Sequence, residues 1–169
     1  MTAATVDEAG TDEALRAPWP ALATFVLCVA GAAISGYLTY VHFNNPTGLA
    51  CPATGIIDCA KVVTSSYSVI AGVPVPVAGL AFFVGMAALC SPWAWRSPRP
   101  ALRWVRVVGA VTGVAMIAWL IYAELFRLDA LCLWCTSVHV ITVLLFITIA
   151  FTTASVTAGG PRQRGGYRE

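Results

Sequence analysis

The segment Leu131-Cys132-Leu133-Trp134-Cys135 opens an apolar run that continues to about Phe151. A run of this length can cross a bilayer as a helix. Two cysteines three positions apart lie on one face of a helix. At the first turn they also meet unpaired backbone N–H groups and the positive end of the helix dipole, which stabilise a thiolate. The segment therefore predicts a reactive dithiol at one end of a membrane helix.

The composition of the whole chain is that of a membrane protein. Its 169 residues are 59% hydrophobic and 11% charged, and the mean hydropathy is +0.78. A membrane span needs roughly 20 apolar residues, because a helix rises about 1.5 Å per residue. Four blocks are suitable: Trp19–Phe43, Gly72–Cys90, Trp104–Phe126 and Leu131–Thr153. Since backbone groups in lipid must be satisfied within their own segment, we expect an all-α integral membrane fold, a bundle of four transmembrane helices.

The basic residues indicate how this bundle is oriented. Eight of the ten lie before the first block, around the junction of the second and third, where Arg106 is just inside the start of the third, or after the fourth: Arg16, Arg96, Arg99, Arg103, Arg106, Arg162, Arg164 and Arg168. The positive-inside rule places them in the cytoplasm together with both termini. We therefore expect a multi-pass plasma-membrane protein. The stretch Arg96–Arg106 is interpreted as a topology anchor, and no nucleic-acid partner is expected.

The remaining parts of the chain are the two terminal segments and the connection between the first two blocks. Residues 1–18 and 154–169 are polar and are predicted to be disordered cytoplasmic tails, which leaves residues 19–153 as the membrane domain. The connection between the first two blocks is extracytoplasmic and should be partly helical, from about Asp58 to Ser66, with Asp58 as the cap or as an acid in the first turn.

Two further predictions concern packing and charge. The small residues Gly31, Ala32, Ser35 and Gly36 in the first block should allow close helix approach. Glu124 and Arg127 lie three apart near the outer end of the third block, and we expect a weak surface ion pair.

Four of the six cysteines fall on the predicted outer side: Cys51, Cys59, Cys132 and Cys135. In a redox interpretation, the loop pair exchanges electrons with the helix pair through a mixed disulfide. As the alternative, four thiolates hold a tetrahedral zinc in a zinc-stabilised membrane scaffold. The unequal spacing and the oxidising compartment disfavour zinc, and we predict no metal site.

A third interpretation treats both pairs as static disulfides. It is disfavoured because a Cys-x-x-Cys bridge within one helix closes almost no loop. Cys28 and Cys90 lie within the blocks and are interpreted as small buried residues.

This set of residues resembles the vitamin K epoxide reductase (VKOR) family. The shared features are Cys51-x7-Cys59, then Ser65, then Cys132-x-x-Cys135 opening the fourth membrane helix, within a match from about Trp19 to Thr153. The resemblance implies a quinone-dependent thiol–disulfide oxidoreductase with its quinone, menaquinone or ubiquinone, in the four-helix bundle. The enzyme would reoxidise a DsbA-like thioredoxin-fold protein and support extracytoplasmic disulfide formation.

The same resemblance implies roles for individual residues. Cys51 and Cys59 would be the shuttle pair, and Cys59 would form the transient bridge to Cys132. Cys135 would face the quinone, and Ser65 would shape the pocket or donate a hydrogen bond to a quinone oxygen. A DsbB-like protein would have the same function, but there the Cys-x-x-Cys pair comes first.

The chain departs from the family pattern at two places. His139 stands where many members have Tyr. Its imidazole could hydrogen-bond or protonate a quinone oxygen, and the alternative is a buried, paired histidine with no role at the quinone. Val75-Pro76-Val77 stands where relatives often have Asn, which removes a polar donor. Some relatives carry a fused thioredoxin-like domain. Nothing after Thr153 could fold as one, so the thiol partner should be a separate protein.

Overall fold

The computed structural model describes residues 19–46, 48–51, 54–97 and 99–158, and the side chains of these up to residue 154. The helices are α1 (Trp19–Asn44), α2 (Cys59–Val63), α3 (Val75–Leu89), α4 (Pro92–Trp95), α5 (Pro100–Ala123) and α6 (Leu133–Ala158). A 3-10 turn (Ser66–Ser68) and a two-stranded antiparallel hairpin, β1 (Val69–Ile70) and β2 (Val73–Pro74), precede α3. A π-helical turn (Glu124–Leu128) ends α5. The predicted tail at residues 1–18 lies outside the described residues.

Four of these helices form a closed bundle. α1 packs against α3 and α6, and α5 packs against the same two helices. Three helical segments are long and apolar enough to cross a membrane: Trp19–Asn44, Pro100–Leu128 and Leu133–Ala154. α3 has 15 residues and is about 22 Å long, which is shorter than the apolar core of about 30 Å. The predicted helical membrane fold is confirmed, and the crossing of the bilayer by α3 stays a prediction.

The outer surface of the bundle is apolar. On α1, for example, Leu22, Val26 and Val29 are 57%, 55% and 49% exposed. Large apolar side chains along a whole helix face are rare on soluble monomers, where such patches mark contact surfaces. This surface is suited to contact with lipid.

Among the boundaries that differ from the sequence predictions are the end of α6 and the end of the helix in the outer loop. α6 continues to Ala158, past Thr153, because no helix-breaking residue occurs before Gly159-Gly160-Pro161. The start of the predicted tail at residue 154 is therefore wrong, and residues 159–169 lie outside the described part. In the loop, Asp58 is the N-cap of α2, one of the two roles predicted for it, and its carboxylate accepts from the Lys61 N–H at 2.9 Å. The helix that it caps ends at Val63, earlier than expected.

Arg106 is buried inside the bundle and does not lie free as a surface charge. Its Nε and Nη2 donate to the carbonyl oxygens of Leu89 and Ala94, both at 2.7 Å. The guanidinium also lies 4.4 Å from the ring centroid of Trp95. The side chain thereby satisfies carbonyl groups at the ends of α3 and α4 and joins both to α5.

Gly31 gives the first testable prediction. A Cβ at this position would lie 2.5 Å from Cδ1 and 2.6 Å from Cζ of Phe83, which is only 1% exposed. Gly31→Ala should therefore separate α1 from α3 and destabilise the bundle by about 1–3 kcal/mol. The measurement is thermal unfolding of the purified protein in detergent.

Gly85→Ala is the matched control, because nothing lies within 4 Å of a Cβ built at Gly85. Its effect should be small, since a helical Gly→Ala exchange favours the helix by only about 0.5–1 kcal/mol. Equal melting temperatures for the two variants would contradict the close α1–α3 contact.

Candidate functional site

The loop after α1 is joined to the start of α6 through its backbone. The Leu131 N–H donates to the Ile56 carbonyl at 2.8 Å, and the Asp58 N–H donates to the Leu131 carbonyl at 3.1 Å. Because Cys59 follows Asp58 and Cys132 follows Leu131, these bonds hold together the two segments that carry the cysteines. Both belong to one buried cluster, in which Cys59 is 1% and Cys132 is 0% exposed.

The start of the same loop is held by Trp134. Its indole N–H donates to the Ala50 carbonyl at 3.1 Å, and its ring centroid lies 4.9 Å from that of Tyr37. Ala50 precedes Cys51, which forms a disulfide with Cys59. Cys51 is half-buried, so it is the more accessible sulfur of this pair.

Cys132 and Cys135 lie at the predicted start of α6. Both are free thiols, and their Sγ atoms lie 2.7 Å apart. Cys132 precedes the helix, and its Sγ accepts from the Cys135 N–H at 3.2 Å. Sulfur atoms this close can form a bond with little movement of the backbone.

These contacts favour the thiolate at Cys132. The pKa of its thiol is lowered, mainly because the Cys135 thiol donates a hydrogen bond to its sulfur. The backbone N–H groups of Cys135 and Trp134 act in the same direction, whereas burial and the neighbouring Glu124 oppose them. Helix N-termini lower thiol pKa values in this way.

A cavity of about 330 Å³ lies between the bundle helices and the loop. Its wall is mainly apolar, with Leu38, Phe82, Met116 and Val138 among the lining residues. Cys135 lies on this wall, whereas Cys132 packs in the cluster with Cys59. Ligand sites for small apolar molecules have this size and composition.

Polar groups are few along the cavity wall. Ser65 lies there, and its hydroxyl donates to the Val62 carbonyl at 2.8 Å, so its proton is already engaged. His139 is 6% exposed and lines the cavity one helical turn beyond Cys135. Val75 and Pro76, at the position where relatives often have Asn, also line it and add no polar group.

The predicted surface ion pair between Glu124 and Arg127 is wrong. Glu124 is 4% exposed and lines the cavity, and its carboxylate accepts from the backbone N–H of Cys132. The Arg127 Nε donates instead to the Tyr67 hydroxyl at 2.8 Å. The reason is the π-helical turn at Glu124–Leu128, which changes the spacing at which side chains share a face. Glu124 is thus a site residue that the sequence analysis missed.

The four cysteines do not gather around one point as a tetrahedral metal site requires. Two are joined as a disulfide and two are paired on α6. Within the described residues, no group of three or more His, Cys, Asp or Glu side chains could hold a metal ion. The zinc-stabilised scaffold therefore has no support.

Comparison with known proteins gives one finding. No individual curated protein matches the chain. The sequence profile of the Vitamin K epoxide reductase family matches residues 22–150, a range that contains all four cysteines of the site. The chain therefore belongs to the vitamin K epoxide reductase family, whose members are membrane proteins with thiol–disulfide oxidoreductase activity.

Proposed function

We propose that the protein takes electrons from a DsbA-like thioredoxin-fold protein and passes them to a quinone in the membrane, and so supports disulfide formation outside the cytoplasm. One observation carries the proposal, the position of the Cys132–Cys135 pair. On one side Cys132 packs with the loop cysteine Cys59, and on the other Cys135 lines the apolar cavity. A dithiol between a thiol relay and an apolar pocket is suited to transfer between the two.

The cavity residues fit a quinone. The apolar wall suits a flat lipid-soluble ring, and His139 offers an imidazole close to Cys135. When bound, the quinone would act as acceptor of two electrons and two protons. Cys135 would face the quinone from the cavity wall, and the His139 imidazole would hold it there. Ser65, whose hydroxyl proton is engaged with the Val62 carbonyl, would shape the pocket.

The loop pair would receive electrons from the partner. A partner thiolate attacks Sγ of Cys51, the accessible sulfur, and breaks the Cys51–Cys59 disulfide. A second partner thiol then resolves this bridge, which leaves the partner oxidised and both loop cysteines reduced. Two electrons have then entered the protein.

The inner pair would receive the same two electrons by a second exchange. The Cys59 thiolate attacks Sγ of Cys132 in an oxidised Cys132–Cys135 pair and frees Cys135 on the cavity wall. Attack of Cys51 on Cys59 then closes the loop disulfide and frees Cys132. The result is the arrangement described above, with a loop disulfide and two thiols on α6.

The proposal includes an orientation in the plasma membrane. Both termini and the arginine-rich connection lie in the cytoplasm, in accordance with the positive-inside rule. The loop and both cysteine pairs then face the extracytoplasmic side, where disulfides persist and a secreted thiol oxidase is found.

Purified protein tests the proposal directly. With a reduced thioredoxin-fold donor and either menaquinone or ubiquinone, the absorbance of the oxidised quinone should fall only when protein and donor are both present. Cys28→Ala is the matched control, because Cys28 lies in a separate buried cluster, and it should leave the rate unchanged. Purified protein that reduces neither quinone, with the donor or with a small dithiol, would overturn the proposal.

A further inference from the structure

Glu124 is a buried carboxyl group beside the reacting sulfurs. Its side chain is 4% exposed, lines the same cavity as Cys135, and accepts a hydrogen bond from the Cys132 N–H. Arg127, the nearest cation in sequence, donates to Tyr67 instead, and no ion pair reaches Glu124 from any residue that the structure describes. A buried carboxylate without a cation is costly, and a second negative charge beside it would add to this cost.

The inner cysteine pair brings such a second charge. In the reduced state Cys132 carries thiolate character and accepts from the Cys135 thiol. Both sulfurs lie close enough to Glu124 to interact with its charge. A thiolate on the cysteine pair and a carboxylate on Glu124 would place two negative charges next to each other in a buried region. The site therefore favours only one of these two charges at a time.

We propose that Glu124 holds the second proton of the reduced site and gives it up when Cys132 and Cys135 join as a disulfide. The inference rests on the proposed function and assigns this residue a catalytic part in it. The reduced site contains a Cys132 thiolate, a Cys135 thiol and a protonated Glu124. The oxidised site contains a disulfide and a Glu124 carboxylate.

This exchange balances. Forming the Cys132–Cys135 bond releases two electrons and the one proton shared by the sulfurs, and Glu124 releases the second proton. A bound quinone would supply the acceptor for both electrons and both protons. The site has one negative charge before and after the reaction, so oxidation of the dithiol does not change the net charge of a buried region.

Infrared difference spectroscopy on quinone-free protein tests the proton on Glu124. The protein is cycled between a small dithiol and a chemical thiol oxidant, and the two spectra are subtracted. We expect the band of a protonated carboxyl group in the reduced state and its loss on oxidation. Glu124→Gln should remove this band, whereas Asp129→Asn, which changes an exposed acid nearby, should leave it in place.

Kinetics provide the second readout. Glu124→Gln retains an oxygen that accepts from the Cys132 N–H but carries no acidic proton. Its kcat for quinone reduction should fall by about 100-fold or more, the usual contribution of a positioned proton donor, while the KM for quinone stays unchanged. Glu124→Asp keeps an acid and should recover most of the lost rate.

Folding and function are separated by controls within the same experiment. Glu124→Gln should retain the Cys51–Cys59 disulfide and the melting temperature of the wild type. A wild-type protein that cannot reduce quinone would contradict the proposed function, yet its infrared band would still report on Glu124. The inference is overturned if the band persists in Glu124→Gln, if wild type shows no redox-linked carboxyl band, or if kcat is unchanged.

Discussion

Cys135→Ala and Cys132→Ala should each abolish quinone reduction with every electron donor, whereas Cys51→Ala should spare reduction driven by a small dithiol. The difference follows from position. Cys135 lies on the cavity wall and Cys132 is its bonding partner at 2.7 Å, so removal of either leaves no disulfide that can form beside the quinone. Cys51 lies in the loop and is needed only to receive electrons from a protein donor.

The measurement compares two donors for each variant. Reduced thioredoxin-fold protein enters through the half-buried Cys51, and this activity should be lost in all three variants. A small dithiol can reach the partly exposed Cys135 through the cavity, and Cys51→Ala should then approach the wild-type rate. Equal loss of dithiol-driven activity in all three variants would contradict the order of the relay.

Cys135→Ser should redistribute the disulfides of the resting protein. With Cys135 absent, the Cys132 thiolate has no thiol on α6 with which to pair, and it packs in the cluster that contains Cys59. Its attack on Sγ of Cys59 forms a Cys59–Cys132 disulfide and releases Cys51 as a thiol, without any added oxidant. We expect this mixed disulfide to become a major species, whereas wild type retains Cys51–Cys59.

Peptide mapping without reduction detects the change. Trypsin cleaves after Lys61 and Arg127, so the two cysteine pairs fall on separate peptides, residues 17–61 and 128–162. A bridge between them links the peptides, and alkylation before digestion marks Cys51 as the free thiol. Cys59→Ser combined with Cys135→Ser is the control and should give no such Cys59–Cys132 link. Retention of only the Cys51–Cys59 bridge in Cys135→Ser would show that Cys132 does not reach Cys59.

Much of the fold could be predicted from the sequence because long apolar blocks have few structural solutions in lipid. The first block and α1 both begin at Trp19, and the block ends at Phe43 where the helix ends at Asn44. The Cys-x-x-Cys pair lies at the start of α6, as expected. The family resemblance rested on cysteine spacing, and the family match over residues 22–150 confirms it. The roles of Ser65 and His139 stay predictions, although both residues line the cavity.

The parts that could not be predicted depend on rotation of side chains and on contacts between distant segments. Glu124 was expected at the surface because a regular helix was assumed, and the π-helical turn places it inside. Arg127 donates a hydrogen bond to Tyr67, which is 60 residues away in the chain. The sequence predicts only a role in membrane topology for Arg106. In the structure it donates to backbone carbonyl oxygens near the ends of α3 and α4, and these acceptors cannot be identified before the ends of both helices are known.

The joint between the outer loop and the start of α6 is made by peptide groups, at Ile56, Asp58 and Leu131. Hydrogen bonds between backbone groups do not depend on which side chain a residue carries. Exchange of one aliphatic residue for another there would therefore preserve the spacing of the sulfurs. Insertion or deletion of a residue between this joint and either cysteine would shift one sulfur relative to the other. Substitutions in this joint should therefore be tolerated, whereas changes in its length should not.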